Sequence, residues 1–205
     1  MARNMKERKT RDKFYIITNG QETEYNYFTL LKSQKSIYDV KVLYANKDPY
    51  GLIEYAKPYL MNANQVWVVF DIDNTYEEDR LMPALKLATQ YGVRYAYSNL
   101  SFEVWLIMHF QECSNRMDIK GHKRVLDKYL SEKRVGLSYN KTDKEVLKKY
   151  FIPYYKTAVN YAKINYQRRV VEHNQQYGEN SQMKIWEWNS STNVYKLIEA
   201  LKLTN

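Results

Sequence analysis

Gln65-Val66-Trp67-Val68-Val69-Phe70-Asp71-Ile72-Asp73-Asn74 is the stretch whose reading decides the fold. Its five consecutive β-branched or aromatic residues are too few for a helix and suit a strand buried on both faces, as in parallel sheets covered by helices. Working outward, Phe14–Thr18 reads as a second buried strand that stops at the turn pair Asn19-Gly20. Thr23 and Glu24 then open a helix with Tyr27, Phe28, Leu30 and Leu31 at helical spacing. A strand over Tyr38–Ala45 follows, and Pro49 starts a helix running to about Met61. Beyond the central strand, a helix over Pro83–Tyr91 and a strand over Val93–Tyr97 complete another unit, and Ser101 reads as the cap of a helix containing Phe102–Phe110. Alternation of strand and helix requires crossovers, so the class is α/β: a mostly parallel sheet flanked by helices.

From about Asp118 the strand signals fade. Helical periodicity covers Ile119–Leu130, Lys144–Tyr150, Tyr154–Gln175 and Val194–Leu203, with one late strand candidate at Lys184–Trp188, where Trp186 and Trp188 alternate. We divide the chain into a basic leader (1–13), an α/β core (14–118) and a mainly helical C-terminal half (119–205) packed on that core as one unit.

Charge follows the same division. The total of +9 splits into six Lys/Arg against two acids in 1–13, nine against thirteen in 14–119, and seventeen against eight in 120–205. A basic chain thus has an acidic heart, and the excess suits an anionic partner such as nucleic acid. The densest positive region comprises Lys144, Lys148 and Lys149, then Lys156, Lys163, Arg168 and Arg169 interleaved with Tyr155, Tyr161 and Tyr166. It reads either as a solvated helix face or as a surface for phosphates. The 21 tyrosines admit base stacking, although Tyr, Asn, Lys and Ile are together also the signature of an AT-rich genome. A single cysteine, Cys113, permits no internal disulfide and no Cys-based zinc site. No run approaches the ~20 apolar residues of a membrane span, and the charged N-terminus does not read as a signal peptide, so the expected location is the cytoplasm. A phosphate loop of the Walker type is missing as well.

The chemistry-bearing signal is Asp71-Ile72-Asp73, because side chains two apart at a strand end share a face. In an open parallel sheet the carboxyl ends of the strands form the ligand crevice. Two acids there either cap the next element and face water or hold a hard cation such as Mg2+. Asn19, Glu22 and Glu24 at the end of the first strand, and Glu103 at the start of the helix after Ser101, would converge on the same rim. For Glu103 the alternative is a favourable interaction with its helix dipole. His109 reads as core packing or as a neighbour of the crevice, and His122 and His173 are too scattered to form a metal cluster.

Five segments, in order, resemble the RloB-like proteins of bacteria: Ile16–Phe28 (IITNGQETEYNYF), Val66–Asn74 (VWVVFDIDN), Tyr97–Phe110 (YSNLSFEVWLIMHF), Tyr139–Thr142 (YNKT) and Ser191–Leu201 (STNVYKLIEAL). The resemblance implies a Toprim-like (Rossmann-like) core, Mg2+ or Mn2+ held by Asp71 and Asp73, and phosphodiester chemistry on DNA or RNA. It also implies a role in defence against phage or foreign DNA beside an ABC/AAA-type ATPase partner; a homo-oligomer is compatible with it. The family pattern has Glu-Gly after the first strand, and that Glu is the general acid/base in Toprim enzymes, whereas this chain has Asn19-Gly20. An amide cannot exchange a proton near neutral pH as a carboxylate can. Either Glu22 or Glu24 has taken over the job, or the protein is a catalytically weak or inactive nucleic-acid-binding subunit.

Overall fold

The computed structural model describes residues 12–73 and 78–204; residues 1–11 of the basic leader, and Asn74, lie outside these described residues. In chain order the elements are β1 (Lys13–Thr18), α1 (Thr23–Leu31), β2 (Lys35–Ser36), β3 (Asp39–Tyr44), α2 (Pro49–Ala56), β4 (Gln65–Asp71), α3 (Glu78–Tyr91) and β5 (Arg94–Asn99). They continue with α4 (Glu103–Ile107), α5 (Ile119–Lys133), α6 (Lys144–Tyr150), α7 (Tyr155–Tyr177), β6 (Ser191–Thr192), α8 (Val194–Ala200) and β7 (Leu203–Thr204). Five strands form one sheet in the order β3-β1-β4-β5-β6. The first four are parallel, and β6 closes the edge antiparallel to β5. This is the expected α/β class with a Rossmann-like arrangement.

Residue alternation along the strands sorts the core into two layers. Phe14, Ile16, Trp67, Val69 and Ala96 share one cluster with residues of α1, α4, α5, α6, α7 and α8. Ile17, Val66, Val68, Phe70 and Tyr97 join residues of α2 and α3 on the other face. The helical half therefore covers mainly one sheet face, adds Ile185 and Trp188 to the other, and also supplies β6. Polar caps set three helix starts: Asp48, Asp118 and Asp143 accept from the backbone N–H groups of Gly51, Gly121 and Val146. Gly92 turns the chain from α3 into β5 at φ +73°, a conformation that a side chain would strain.

Chain direction creates one special crevice. From β1 the chain crosses to β3 on one side, whereas from β4 it crosses to β5 on the other, so the connections diverge above β1 and β4. Such a switch point, at the carboxyl ends of the strands, is where open α/β sheets bind ligands.

Three local readings change. Lys184–Trp188 contains a helical turn over Ile185–Glu187, and the late strand is Ser191–Thr192 instead. Ser101 does not cap α4, whose preceding residue makes no side-chain cap; its hydroxyl faces the His122 ring. The helix expected over Phe102–Phe110 shrinks to Glu103–Ile107. His109 explains that ending: its Nδ1 bonds the carbonyls of Trp105 and Leu106, while its backbone N–H takes the tighter bond to Leu106.

His109 is in the core, 2% exposed, with Nδ1–H donating to those carbonyls and Nε2 accepting from the Tyr27 hydroxyl at 2.9 Å. Burial pushes its pKa down to about 3, well below the ordinary 6.5, although the two carbonyls oppose this. Below pH 6.5 the unfolded chain takes up a proton that the folded ring refuses, so stability falls on acidification until about pH 3. His109→Gln removes this dependence. Chemical denaturation of both proteins should show the stability advantage of the wild type shrinking by about 2 kcal/mol between pH 7 and pH 5; a constant gap would mean that the folded ring is protonated.

Candidate active site

The register of β4 places Asp71 on the same face as Trp67 and Val69, toward the layer containing α1 and α4. Glu24 lies in the first turn of α1 and is 7% exposed, and Glu103 is the first residue of α4 at 3% exposure. Two helix starts and one strand end thus bring three carboxylates to the β1/β4 switch point. The backbone N–H of Asn19 donates to the Val69 carbonyl at 3.1 Å, which fastens the end of β1 beside β4.

Gly20 makes the approach possible. A Cβ at that position would lie 2.1 Å from Glu24 Oε2, so the Glu24 carboxylate folds back over the Gly20 backbone, next to Asn19. Burial raises the Glu24 pKa, and the charge of Glu103 adds to it against a bond from its own backbone N–H and the pull of Lys141. Asp71 is raised well above the ordinary carboxylate value by desolvation first, then by Glu24 and Glu103, with Asp73 contributing and Lys141 opposing.

Glu103 is different. Burial also pushes it up, but Lys141, Ser101, its own backbone N–H and Tyr139 outweigh burial and hold it below the usual value, as an anion. Tyr139 donates to Glu103 Oε1 at 3.0 Å, and Lys141 Nζ lies 3.4 Å from the same oxygen. Because Tyr139 uses its proton on Glu103, the Thr23 hydroxyl, 3.1 Å away, is the donor to Tyr139. Behind this, Ser101 and Ser190 hold the two nitrogens of His122, each at 3.2 Å. Burial lowers the pKa of His122 and favours the neutral ring, while Glu103 and Asp118 pull the other way. Glu103 is thus an anchor for the loop carrying Lys141, and the ammonium of Lys141 is kept charged by Glu103, Glu24 and Asp71 despite partial burial.

Of the residues expected from the sequence, Glu24, Asp71 and Glu103 meet, Asp73 acts on Asp71 from the end of β4, and Asn19 is half-buried at the end of β1. Glu22 is exposed and lines a neighbouring groove, and its charge acts on Glu24. Among the cations, Lys144, Lys148 and Lys149 are exposed on α6, which packs against α1. Lys156 lies on α7, bordering a groove with Lys163, and Lys163 pairs with Glu199. Arg168 pairs with Glu112 at 2.5 Å. Arg169 donates to the carbonyls of Ser114 and Asn189 and to Glu172, which gives it a structural job. Sequence reasoning missed the part that Thr23, Tyr139 and Lys141 play. The YNKT segment was visible, but a loop residue that reaches a site through tertiary folding has no periodicity to announce it.

Among the described residues no three His, Cys, Asp or Glu side chains form a ready-made metal cage. The donors nevertheless suit a hard cation of the Mg2+ type, which takes one or two carboxylates and completes its shell with waters and substrate phosphate oxygens. Asp71, pressed against like charge, is the group that such a cation would relieve. A desolvated acid in that position destabilises the fold. Asp71→Asn should therefore raise stability by about 1 kcal/mol in thermal unfolding with EDTA present; a lowered melting temperature would show that Asp71 holds the fold together instead.

The chain matches the family model described as "RloB-like protein" over residues 14–201. No curated protein and no solved structure matches it. A match that spans both sheet faces, the switch-point acids and the segment that closes the sheet establishes that the chain belongs to the RloB-like protein family.

Proposed function

We propose that this protein is a Toprim-like, metal-dependent nuclease that cleaves phosphodiester bonds of DNA or RNA. The observation that carries the reading is the convergence of Glu24 and Asp71 at the β1/β4 switch point, with their pKa values raised by burial and by neighbouring carboxylates and with the Lys141 ammonium beside them. Asp71 and Asp73 would hold Mg2+ or Mn2+, which when bound supplies charge neutralisation at the scissile phosphate. Glu24, folded over Gly20 at the end of β1, takes the acid/base position that Asn19 cannot fill, and it moves the proton at its carboxylate oxygens. Lys141 offsets the developing negative charge, held in place by Glu103. Lys144, Lys148 and Lys149 on α6 grip the flanking backbone. The resemblance to bacterial RloB-like proteins supports a defence role beside an ABC/AAA-type ATPase. A second reading, a non-catalytic nucleic-acid-binding subunit, is favoured by Asn19 and by the lack of a three-ligand cage among the described residues.

Purified protein with Mn2+ should cleave oligonucleotides. Asp71→Asn should lose both Mn2+ binding by calorimetry and at least about 100-fold in rate. Glu24→Gln should lose about 100-fold or more in rate while still binding Mn2+. Asn19→Glu separates the two readings: a rate little changed supports Glu24 as the acid/base, whereas activity seen only in the Asn19→Glu variant, and not in the wild type, sinks that assignment.

A further inference from the structure

A groove of about 620 Å3 opens beside the carboxylate cluster, along the edge strand β3. It adjoins the site because Glu22, Tyr25 and Asn26 in its wall flank Glu24 on the same turn and helix, and Thr142 in its rim follows Lys141. Tyr44 from β3 and Lys144 line it as well. Two tyrosines offer flat apolar surface. Glu22 and Asn26 offer acceptors, and Glu22 repels a phosphate that tries to enter.

We propose that this groove receives an unpaired base of a single-stranded polynucleotide, whose adjoining phosphate reaches the carboxylates; the second half of that statement rests on the nuclease reading above. The composition suits a base better than any other part of a nucleotide. Every base has a π-face to stack on Tyr25 or Tyr44. The exocyclic amines of adenine, cytosine and guanine can donate to Glu22 and Asn26. The phosphates stay outside, where Lys144, Lys148 and Lys149 are exposed along α6. A duplex keeps its bases stacked inward and cannot present one to a groove of this kind without unpairing it. The substrate class is therefore single-stranded DNA or RNA, including loops and ends.

The test measures binding in EDTA, where cleavage cannot contribute. Fluorescence anisotropy should show fluorescein-labelled single strands of DNA or RNA, about 12 nucleotides long, bound at least about tenfold tighter than a blunt duplex of the same length. Either sugar meets the expectation, and the tighter of the two names the substrate. Tyr25→Ala and Tyr44→Ala should each weaken single-strand binding by about tenfold, and Tyr→Phe at both positions should restore it with the fold unchanged by circular dichroism. Equal affinity for duplex and single strand, or Ala variants that bind as the wild type does, overturn the groove. Protein that binds single strands through Tyr25 and Tyr44 yet never cuts with Mn2+ keeps the groove and removes the nuclease. Protein that cuts a duplex at the same rate with either tyrosine removed keeps the nuclease and removes the groove.

Discussion

The desolvation of the Asp71 carboxylate against Glu24 and Glu103 is the constraint that the site is built around. Charges removed from water repel strongly at short range, and desolvation disfavours the ionised form further. Three anions could not share the crevice without compensation. The protein compensates unequally: Glu103 receives Tyr139, Ser101, Lys141 and a backbone N–H and stays ionised, while Asp71 and Glu24 keep their raised pKa values. One acid is thereby turned into an anchor, and the other two are left holding their protons more tightly than a free carboxylate does. The Thr23–Tyr139–Glu103 chain makes the arrangement depend on three segments far apart in sequence.

The C-terminal half follows from the same constraint. A four-stranded parallel sheet would leave β5 as an open edge and leave the α1/α4 face uncovered. Ser191 and Thr192 pair with β5, and Thr192 and Asn193 bond the backbone of Tyr97, which fixes the strand that runs into Ser98, Asn99 and α4. From α7, Asn165 bonds the carbonyls of Cys113 and Ser190, and Arg169 bonds those of Ser114 and Asn189. These bonds clamp the segment after α4 to the segment before β6. Through Ser190 the clamp reaches His122, then Ser101, and so the start of α4 where Glu103 sits. A helix read from sequence as a nucleic-acid surface is thus also scaffold for an acid of the site.

What could be read from the sequence divides along physical lines. Strands β1, β3, β4 and β5 were legible from runs or alternations of apolar residues, and α6 because Asp143 and the apolar pair Val146 and Leu147 mark it locally. Asp71 and Glu24 could be placed because a strand end and a helix start are local features whose meeting follows from the parallel topology. Glu22 was placed alike; it precedes the first turn of α1 and stays exposed while Glu24 turns inward, and only its charge reaches Glu24. Lys141, Tyr139 and His122 were beyond reach: each belongs to the site through tertiary hydrogen bonds or an ion pair, and nothing in local composition encodes such a partner. The short α4 was missed for a similar reason, because the His109 side chain, not a Gly or Pro, takes the carbonyls that a longer helix would have used.

The charge of the C-terminal half is the last quantity that the structure redistributes. Seventeen cations against eight acids over 120–205 read as one broad positive surface. Several of those cations are engaged within the protein: Lys123 with Asp127, Lys163 with Glu199, Arg168 with Glu112, Arg169 with Glu172, and Lys184 with Glu187. An internal ion pair presents little net field to a phosphate, and one on the surface adds little stability. The exposed lysines of α6 are another matter, because that helix packs on α1, the helix that carries Glu24. The cation that acts on Asp71 and Glu24 is Lys141, two residues before the Asp143 cap of α6. Exposed positive charge therefore stands on the helix next to α1 as well as on α7. On the nuclease reading proposed above, a polyanion would meet the exposed lysines of α6 on the helix next to α1. Those lysines would offset part of the repulsion between an acidic crevice and a negatively charged chain.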